Sequence, residues 1–221
     1  MSRELTEPPP SLSCDPTLVL HTSRGPVSIY APCPPGCFKD LKLEEGLGNF
    51  AHYSSIIQKL DVFEKVASAR DGRVALALFE DRAVIAYMTC GYPEPDERWS
   101  KLGDLLYELA AIEVSRNFRH MHIAQAMIGN VLADAFFETK INYMNGFSWH
   151  WDLDGTGLTM SQYRQMMIRL LKGFGFQECY TNEPNIAMRE ENLFMVRVGS
   201  KVSEEDQKRF RNLRFGIVNR D

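Results

Sequence analysis

No apolar run in these 221 residues approaches the roughly 18–20 needed to cross a bilayer as a helix, so no transmembrane segment is expected. The first residues, MSRELTEPPPSLSCDP, lack an apolar h-region and are polar and proline-rich, so a secretory signal is not expected either. Charge of one sign is also scarce. The formal net charge is −4 with no basic stripe, which argues against a nucleic-acid binder. Cysteine is sparse: five residues, an odd number, scattered along the chain. That excludes a disulfide framework and points to a reducing, cytoplasmic compartment. Cys33 and Cys37 in PCPPGC have no further ligands at matching spacing, so they read as free thiols in a proline-rich turn rather than a zinc site. No Ser-His-Asp or metal-ligand spacing supports a hydrolase, and no internal repeat is visible.

What is present is a globular chain with 44% hydrophobic residues. Residues 1–16 read as a disordered arm and 17–221 as one domain with its core at about 74–198. TLVLHTSRGPVSIYAP gives two short strands around a Gly-Pro turn. The stretch from Phe38 to Ala69 is expected to be mostly helical. RVALALF and AVIAYMTC, joined by Glu80-Asp81-Arg82, predict a β-hairpin. GYPEPDERWSKLGD is expected as a loop and LLYELAAIEV as a strand. From Ile123 the period becomes helical through Met127, Ile128, Val131, Leu132, Ala135 and Phe136. YMNGFSWHW is expected as a strand. Thr159 and Gln162 then predict a capping box for a helix with Tyr163, Met166, Met167, Leu170, Leu171 and Phe174 on one face, ended by Gly173 and Gly175. FQECY and NLFMVRV complete the strands, and SEEDQKRFRNLRF a terminal helix. The order is α+β: a mostly antiparallel mixed sheet flanked by helices.

Chemistry concentrates in YELAAIEVSRNFRHMHIAQAMIG, residues 107–129, where a strand runs into a helix. Glu108 and Glu113 are five apart, so a regular strand points them to opposite faces, and a bulge would swap them. They are not expected to be a paired acid/base set. The helix start carries free N–H groups and the positive end of the dipole, which suit a phosphate-bearing ligand. Arg119, His120 and His122 add donors there. The residues alone equally allow surface ion pairs and solvated histidines.

This segment is where the chain resembles a known family. Residues of about 74 to 198 resemble the GCN5-related N-acetyltransferase (GNAT) family. Its members carry Arg/Gln-x-x-Gly-x-Gly/Ala before a helix, where amides hold the pyrophosphate of acetyl-CoA. Here Arg119 and Ala124 match, His122 stands where glycine is usual, and His120 replaces another frequent glycine. A more specific resemblance covers about residues 20 to 215: YPEPDERWS, ELAAIEVSRNFR, SWHWDL, TNEPNI and NLRF are similar, in order, to the acetoin-utilization protein acetyltransferases of Gram-positive bacteria.

The resemblance implies a GNAT-like acyl-CoA N-acyltransferase fold with acetyl-CoA as co-substrate. It places the acetyl-CoA site at Ile112, Glu113 and Val114 and at Arg119, His120, Met121, His122, Ile123 and Ala124. It implies acetylation of a lysine on acetyl-CoA synthetase, which switches that enzyme off. A lysine with pKa of about 10.4 must lose a proton before attack. Glu108 lies eleven residues before Arg119, the spacing of the general base in histone-type members, with Glu113 as its alternate. His150, or Asp152, is a candidate to face the acceptor, with a core histidine and a turn-capping aspartate as the plain alternatives. The tyrosine many relatives use to protonate the thiolate falls here on Leu171, and Tyr163 is expected in the core. Two other readings stay open: a small-molecule amine N-acetyltransferase, and a non-catalytic acyl-CoA-binding regulator.

Overall fold

The computed structural model describes Leu12 and residues 15–48, 59–80 and 82–217. Most of the N-terminal arm, residues 49–58 of the expected helical stretch, and Asp81 at the hairpin tip lie outside the described residues.

The strands β1 (Leu18–Thr22) and β2 (Gly25–Tyr30) make the first hairpin, turned by Gly25 at φ +125°, a backbone geometry that suits glycine. A two-residue strand β3 (Lys42–Leu43) precedes helix α1 (Leu60–Ser68). The second hairpin is β4 (Arg73–Phe79) and β5 (Ala83–Gly91), followed by β6 (Leu106–Val114) and α2 (Ile123–Leu132). Then come β7 (Ile141–Gly146), a short α3 (Leu153–Thr156) and α4 (Met160–Lys172). The chain ends with β8 (Gln177–Glu178), a short α5 (Pro184–Ala187), β9 (Leu193–Val198) and α6 (Glu204–Leu213).

The sheet runs β1-β2-β4-β5-β6-β7-β9-β8, with β3 paired to β5 at the side. All pairings are antiparallel except β6 with β7 and β3 with β5. Alternation along the strands divides the core. Ala75, Ala77, Met144 and Met195 join Met127 and Ile128 of α2 and Ile168 and Leu171 of α4 on one face. Val74, Leu76 and Tyr87 pack on Phe63 of α1. Tyr143, Phe194 and Val196 pack on Trp99 and on Phe210 and Leu213 of α6. The sheet is therefore covered on both sides, α2 and α4 on one and α1 and α6 on the other. The Thr159–Gln162 capping box forms as the sequence predicts and opens α4; such a cap contributes about 1 kcal/mol.

Four expectations change. Of the described residues between Phe38 and Ala69, only Leu60–Ser68 are helical; residues 44–48 form a turn braced by the Glu44 carboxylate, which accepts from the Gly46 amide at 2.8 Å. The expected loop at residues 91–104 is partly helical: Arg98–Leu105 form 3-10 turns, with Trp99 buried against Phe194, rings stacked at 4.6 Å. The helix from Ile123 stops at Leu132, and Asp134 caps a separate 3-10 turn at Ala135–Thr139. YMNGFSWHW is strand only to Gly146. Its partner β9 begins at Leu193, and the Asn192 side chain takes the Ser148 amide at 2.9 Å, so the chain leaves the sheet into a 3-10 turn, Ser148–His150.

Candidate active site

β6 is irregular where the chemistry lies. Thr89 pairs with Ala111 and Cys90 with Leu109, which leaves Ala110 as an extra residue, a β-bulge. Tyr107 and Leu109 face α2 before the bulge, and Ile112 and Val114 do so after it. Glu108 and Glu113 consequently lie on the same face, the α1 side. This corrects the expectation of opposite faces drawn from regular alternation. They still do not form a pair. Glu113 accepts from the Tyr87 hydroxyl and from the Gly48 amide at 2.8 Å, so it ties β6 to the 44–48 turn. Glu108 instead lines a cleft of about 360 Å³ with Val66 of α1, Ala69 and Arg70 just after it, Tyr92 and Glu94.

β6 and β7 are paired only through Leu106, Tyr107 and Glu108, opposite Ile141, Asn142 and Tyr143. Beyond Glu108 the two strands part. The β7-side edge of β6 from Leu109 to Val114 has no strand partner among the described residues. At the fork, Asn145 Nδ2 donates to Glu108 Oε1 at 2.9 Å. Burial, reinforced by the negative charges of Glu97 and Glu94, pushes the Glu108 carboxyl up to about 8 against the opposing Asn145 hydrogen bond. Such a group is poised to take a proton near neutral pH.

From β6 the chain enters a turn held by side chains. The buried Ser115 hydroxyl accepts the Asn117 amide at 3.1 Å and donates to Glu44, and Asn117 Nδ2 donates to Glu44 at 2.7 Å. His120 and His122 then adopt φ of +63° and +60°. This is the left-handed region that glycine occupies without cost and that histidine enters only under constraint. The two positions where the motif departs from glycine thus keep a glycine-like backbone. His122 precedes α2 without capping it through its side chain, so the first-turn amides of Ile123 and Ala124 carry no side-chain cap. Ile123 itself is buried beneath the turn, whereas His120 and His122 are exposed.

Arg116 and Arg119 converge on Asp152. Arg116 Nε lies 2.8 Å and Arg119 Nη2 2.6 Å from Asp152 Oδ2. Asp152 also accepts the Gly155 amide at 2.9 Å, as the N-cap of α3. Its side chain is 2% exposed; burial pushes the carboxyl up, but the two arginines outweigh it and hold it below the usual carboxylate range. Asp152 therefore caps a turn and pins the turn before α2 to the segment leaving β7. One arm of Arg119 is committed to that clamp, while its buried Nη1 has no partner among the described residues.

His150 sits on the 3-10 turn after β7, its ring 6.1 Å from Trp149 and 6.5 Å from Phe147. Burial pushes its pKa down, and it is not among the residues lining the Glu108 cleft. Trp151 stacks on Tyr163 at 5.1 Å, which places Tyr163 in the core as expected. Met121, with Ile112 and Val114, packs against the α2-side core. The structure adds residues that pattern reading passed over: the Ala110 bulge, Asn145 and Glu97. Asn145 carries a partial signal: it is one of two asparagines, with Asn142, in the mostly buried strand INYMNG.

No family model matches the chain. It is 32% identical over 198 residues to the acetoin utilization protein AcuA of Bacillus licheniformis, covering 89% of this chain and 92% of that protein. It is 30% identical to AcuA of Bacillus subtilis over the same shares. The crystal structure of an acetoin utilization protein from Exiguobacterium sibiricum superimposes with a TM-score of 0.82 at 30% identity, covering 90% of this chain and 92% of that one. The GNAT domain of S. lividans PAT shares the fold at 9% identity, with a TM-score of 0.51 over 81% of this chain and 94% of that one. The chain belongs to the acetoin utilization protein AcuA family and has the GNAT fold.

Proposed function

We propose that this acetyltransferase of acetoin utilization moves acetyl from acetyl-CoA to a lysine of a folded protein, acetyl-CoA synthetase, and thereby inactivates it. The observation that carries the reading is Glu108, a half-buried carboxyl fixed by Asn145 at the point where β6 and β7 part. The β7-side edge of β6 at Ile112, Glu113 and Val114, which meets no strand among the described residues, offers backbone groups to the pantetheine arm. The turn from Arg119 to Ala124, through His120, Met121, His122 and Ile123, offers amides and a helix N-terminus to the pyrophosphate. The first turn of α2 is uncapped and its approach is left-handed, which fits an anion held by main chain. Of the catalytic candidates, Glu108 suits the base and Glu113 suits a brace, because Tyr87 and Gly48 already occupy it. His150 is assigned no proton transfer: it stands away from the cleft lining.

Glu108 takes a proton from the acceptor ammonium. The neutral amine adds to the thioester carbonyl, the C–N bond forms and the C–S bond breaks. The second amine proton accounts for the thiol that leaves, so each turnover releases one proton through Glu108. Glu94 puts a carboxylate in the cleft, whose one lining arginine, Arg70, is already paired with Asp104, which suits a cationic side chain, and its mouth is open, which suits a lysine carried on a protein. Acetylation removes a positive charge that a phosphate-bearing intermediate in the synthetase needs. Acetyl-CoA and the synthetase meet in the cytoplasm, the compartment this reading requires.

The test is incubation with acetyl-CoA and purified acetyl-CoA synthetase from the same organism. One dominant acetyl-lysine by mass spectrometry, with loss of adenylation activity, supports the reading. Rapid acetylation of spermidine or a free amino acid with the synthetase untouched replaces it with a small-molecule enzyme. Acetyl-CoA binding without transfer to any of these amines leaves a regulator.

A further inference from the structure

The loop before the 3-10 turns carries a carboxylate that the reaction above does not use. Arg98 is pinned by Glu183, Nε to Oε2 at 2.8 Å, and its Nη1 donates to the Arg214 carbonyl at 3.0 Å. Trp99 is buried between Phe194 and Tyr143, ring centroids 4.6 and 5.7 Å away. These two anchors hold the preceding residue, Glu97, against the same face of the sheet as Glu108. Tyr143 stands directly across the β6–β7 ladder from Glu108. Three buried polar atoms in this region have no partner among the described residues: Glu97 Oε2, the Tyr143 hydroxyl and Asn145 Oδ1. Buried polar atoms are satisfied by protein or by ordered water, so such a group of atoms is a niche for bridging water.

We propose that Glu97 is the partner carboxylate of Glu108, and that the proton Glu108 takes from the acceptor leaves toward Glu97 and solvent through the Tyr143 hydroxyl and bridging water. The proposal rests on Glu108 being the base. Proton balance requires such an exit: Glu108 ends each turnover as a neutral acid and must release its proton before the next. The Tyr143 hydroxyl feels both carboxylates; burial raises its pKa, and the charges of Glu108 and Glu97 raise it further. Glu97 is itself held up, by burial first and then by Glu94 and Asp96, with Glu183 adding to them. The other groups facing Glu108 are Arg70 just after α1, Cys90 on β5, and Tyr92 and Glu94 on the loop that follows it. Arg70 is already paired with Asp104, and the charges that raise Glu108 are the loop carboxylates Glu97 and Glu94.

The experiment is the pH dependence of kcat/KM for Glu97→Gln, with whichever of acetyl-CoA synthetase or spermidine the wild-type protein acetylates. Loss of the negative charge should move the acidic limb down by about one pH unit. Asp96→Asn, a neighbouring charge outside the niche, should leave the limb in place. Tyr143→Phe should slow turnover without loss of acetyl-CoA binding in a thermal-shift assay. A Glu97→Gln limb that coincides with wild type, or an equal shift in Asp96→Asn, overturns the proposal. Glu108→Gln separates the two levels. If it keeps wild-type turnover, the base assignment falls; if it is inactive while Glu97→Gln leaves the limb unmoved, only the role of Glu97 falls.

Discussion

Asn145 on β7, two residues past the last paired position Tyr143, donates at 2.9 Å to Glu108 on β6, the residue paired with Tyr143 at the parallel β6–β7 junction. Parallel pairing brings the two strands in side by side, and their divergence opens the edge of β6. The hydrogen bond spans that fork and fixes the carboxyl that the cleft exposes. It favours the ionised form of a group that burial otherwise keeps protonated.

Replacing Asn145 tests this directly. Asn145→Leu removes the donor, so Glu108 should hold its proton to higher pH. The acidic limb of kcat/KM should move up, opposite in sign to the shift expected for Glu97→Gln. Activity near pH 7 should fall while activity well above the limb recovers. A downward or absent shift would show that Asn145 does not set the charge state of Glu108.

Glu108→Gln should cost roughly 10² to 10⁴ in turnover, the usual range for loss of a general base, with acetyl-CoA binding retained. Stability gives an independent reading. In the unfolded chain a glutamate titrates near 4.3, and in the fold Glu108 titrates at about 8. Between those values the native state binds more protons, so this residue's contribution to stability declines as pH rises through the interval. The glutamine variant should melt close to wild type at about pH 5 and above it at about pH 9, by an amount on the order of a few kcal/mol. Melting curves across that range decide it: a gap that does not widen with pH means the carboxyl is not held neutral.

Asp152→Asn removes the counter-charge of Arg116 and Arg119 from a site where the carboxylate is 2% exposed. Breaking a buried pair in this way typically costs about 3–5 kcal/mol, and here one arginine remains partly solvated, so the low end is expected. Because the Asp152 carboxyl is held below the usual range, its contribution is fully present above about pH 3.9 and disappears as pH falls through its folded value. The gap between variant and wild type should therefore close in acid. Gly155→Ala should produce a similar defect from the other side, because a Cβ there collides with Asp152 Oδ2 and Arg116 Nε. Both variants should weaken acetyl-CoA binding in a thermal-shift titration, and unaltered binding in both would detach the clamp from the ligand turn.

His120→Gly and His122→Gly should raise stability by about 1 kcal/mol each, because both positions have φ near +60° and glycine removes the Cβ crowding. If the turn holds the pyrophosphate through its amides, His122→Gly keeps acetyl-CoA affinity. A tenfold loss, about 1.4 kcal/mol, would instead assign a direct contact to the imidazole. His122→Val should destabilise, since a β-branched residue is a poor fit at that φ.

Much of this was legible in order and period. The two hairpins, the capping box at Thr159–Gln162, the strand into helix at residues 106–132 and the terminal helix follow from alternation, helical spacing and turn residues, all local properties of the chain. The misreadings share a cause. SWHW has the alternation of a strand, but its would-be partner β9 begins only at Leu193, opposite Gly146, and leaves it nothing to pair with. The region from Phe38 has helical composition, but Glu44 bonds Gly46, Ser115 and Asn117 and holds a turn instead. In each case a contact with a distant segment outweighed a local preference.

The sequence by itself determined the element order, the candidate glutamates and a helix start suited to an anion, because each depends on neighbours along the chain. Only the tertiary structure decided that Glu108 and Glu113 share a face, because the Ala110 bulge is set by pairing with β5. Only it decided that Asp152 belongs to Arg116 and Arg119 of the turn before α2, and that Asn145 and Glu97 bear on Glu108. Those relations join residues dozens of positions apart, and their strength comes from burial, where lost water makes charge and hydrogen bonds count for more.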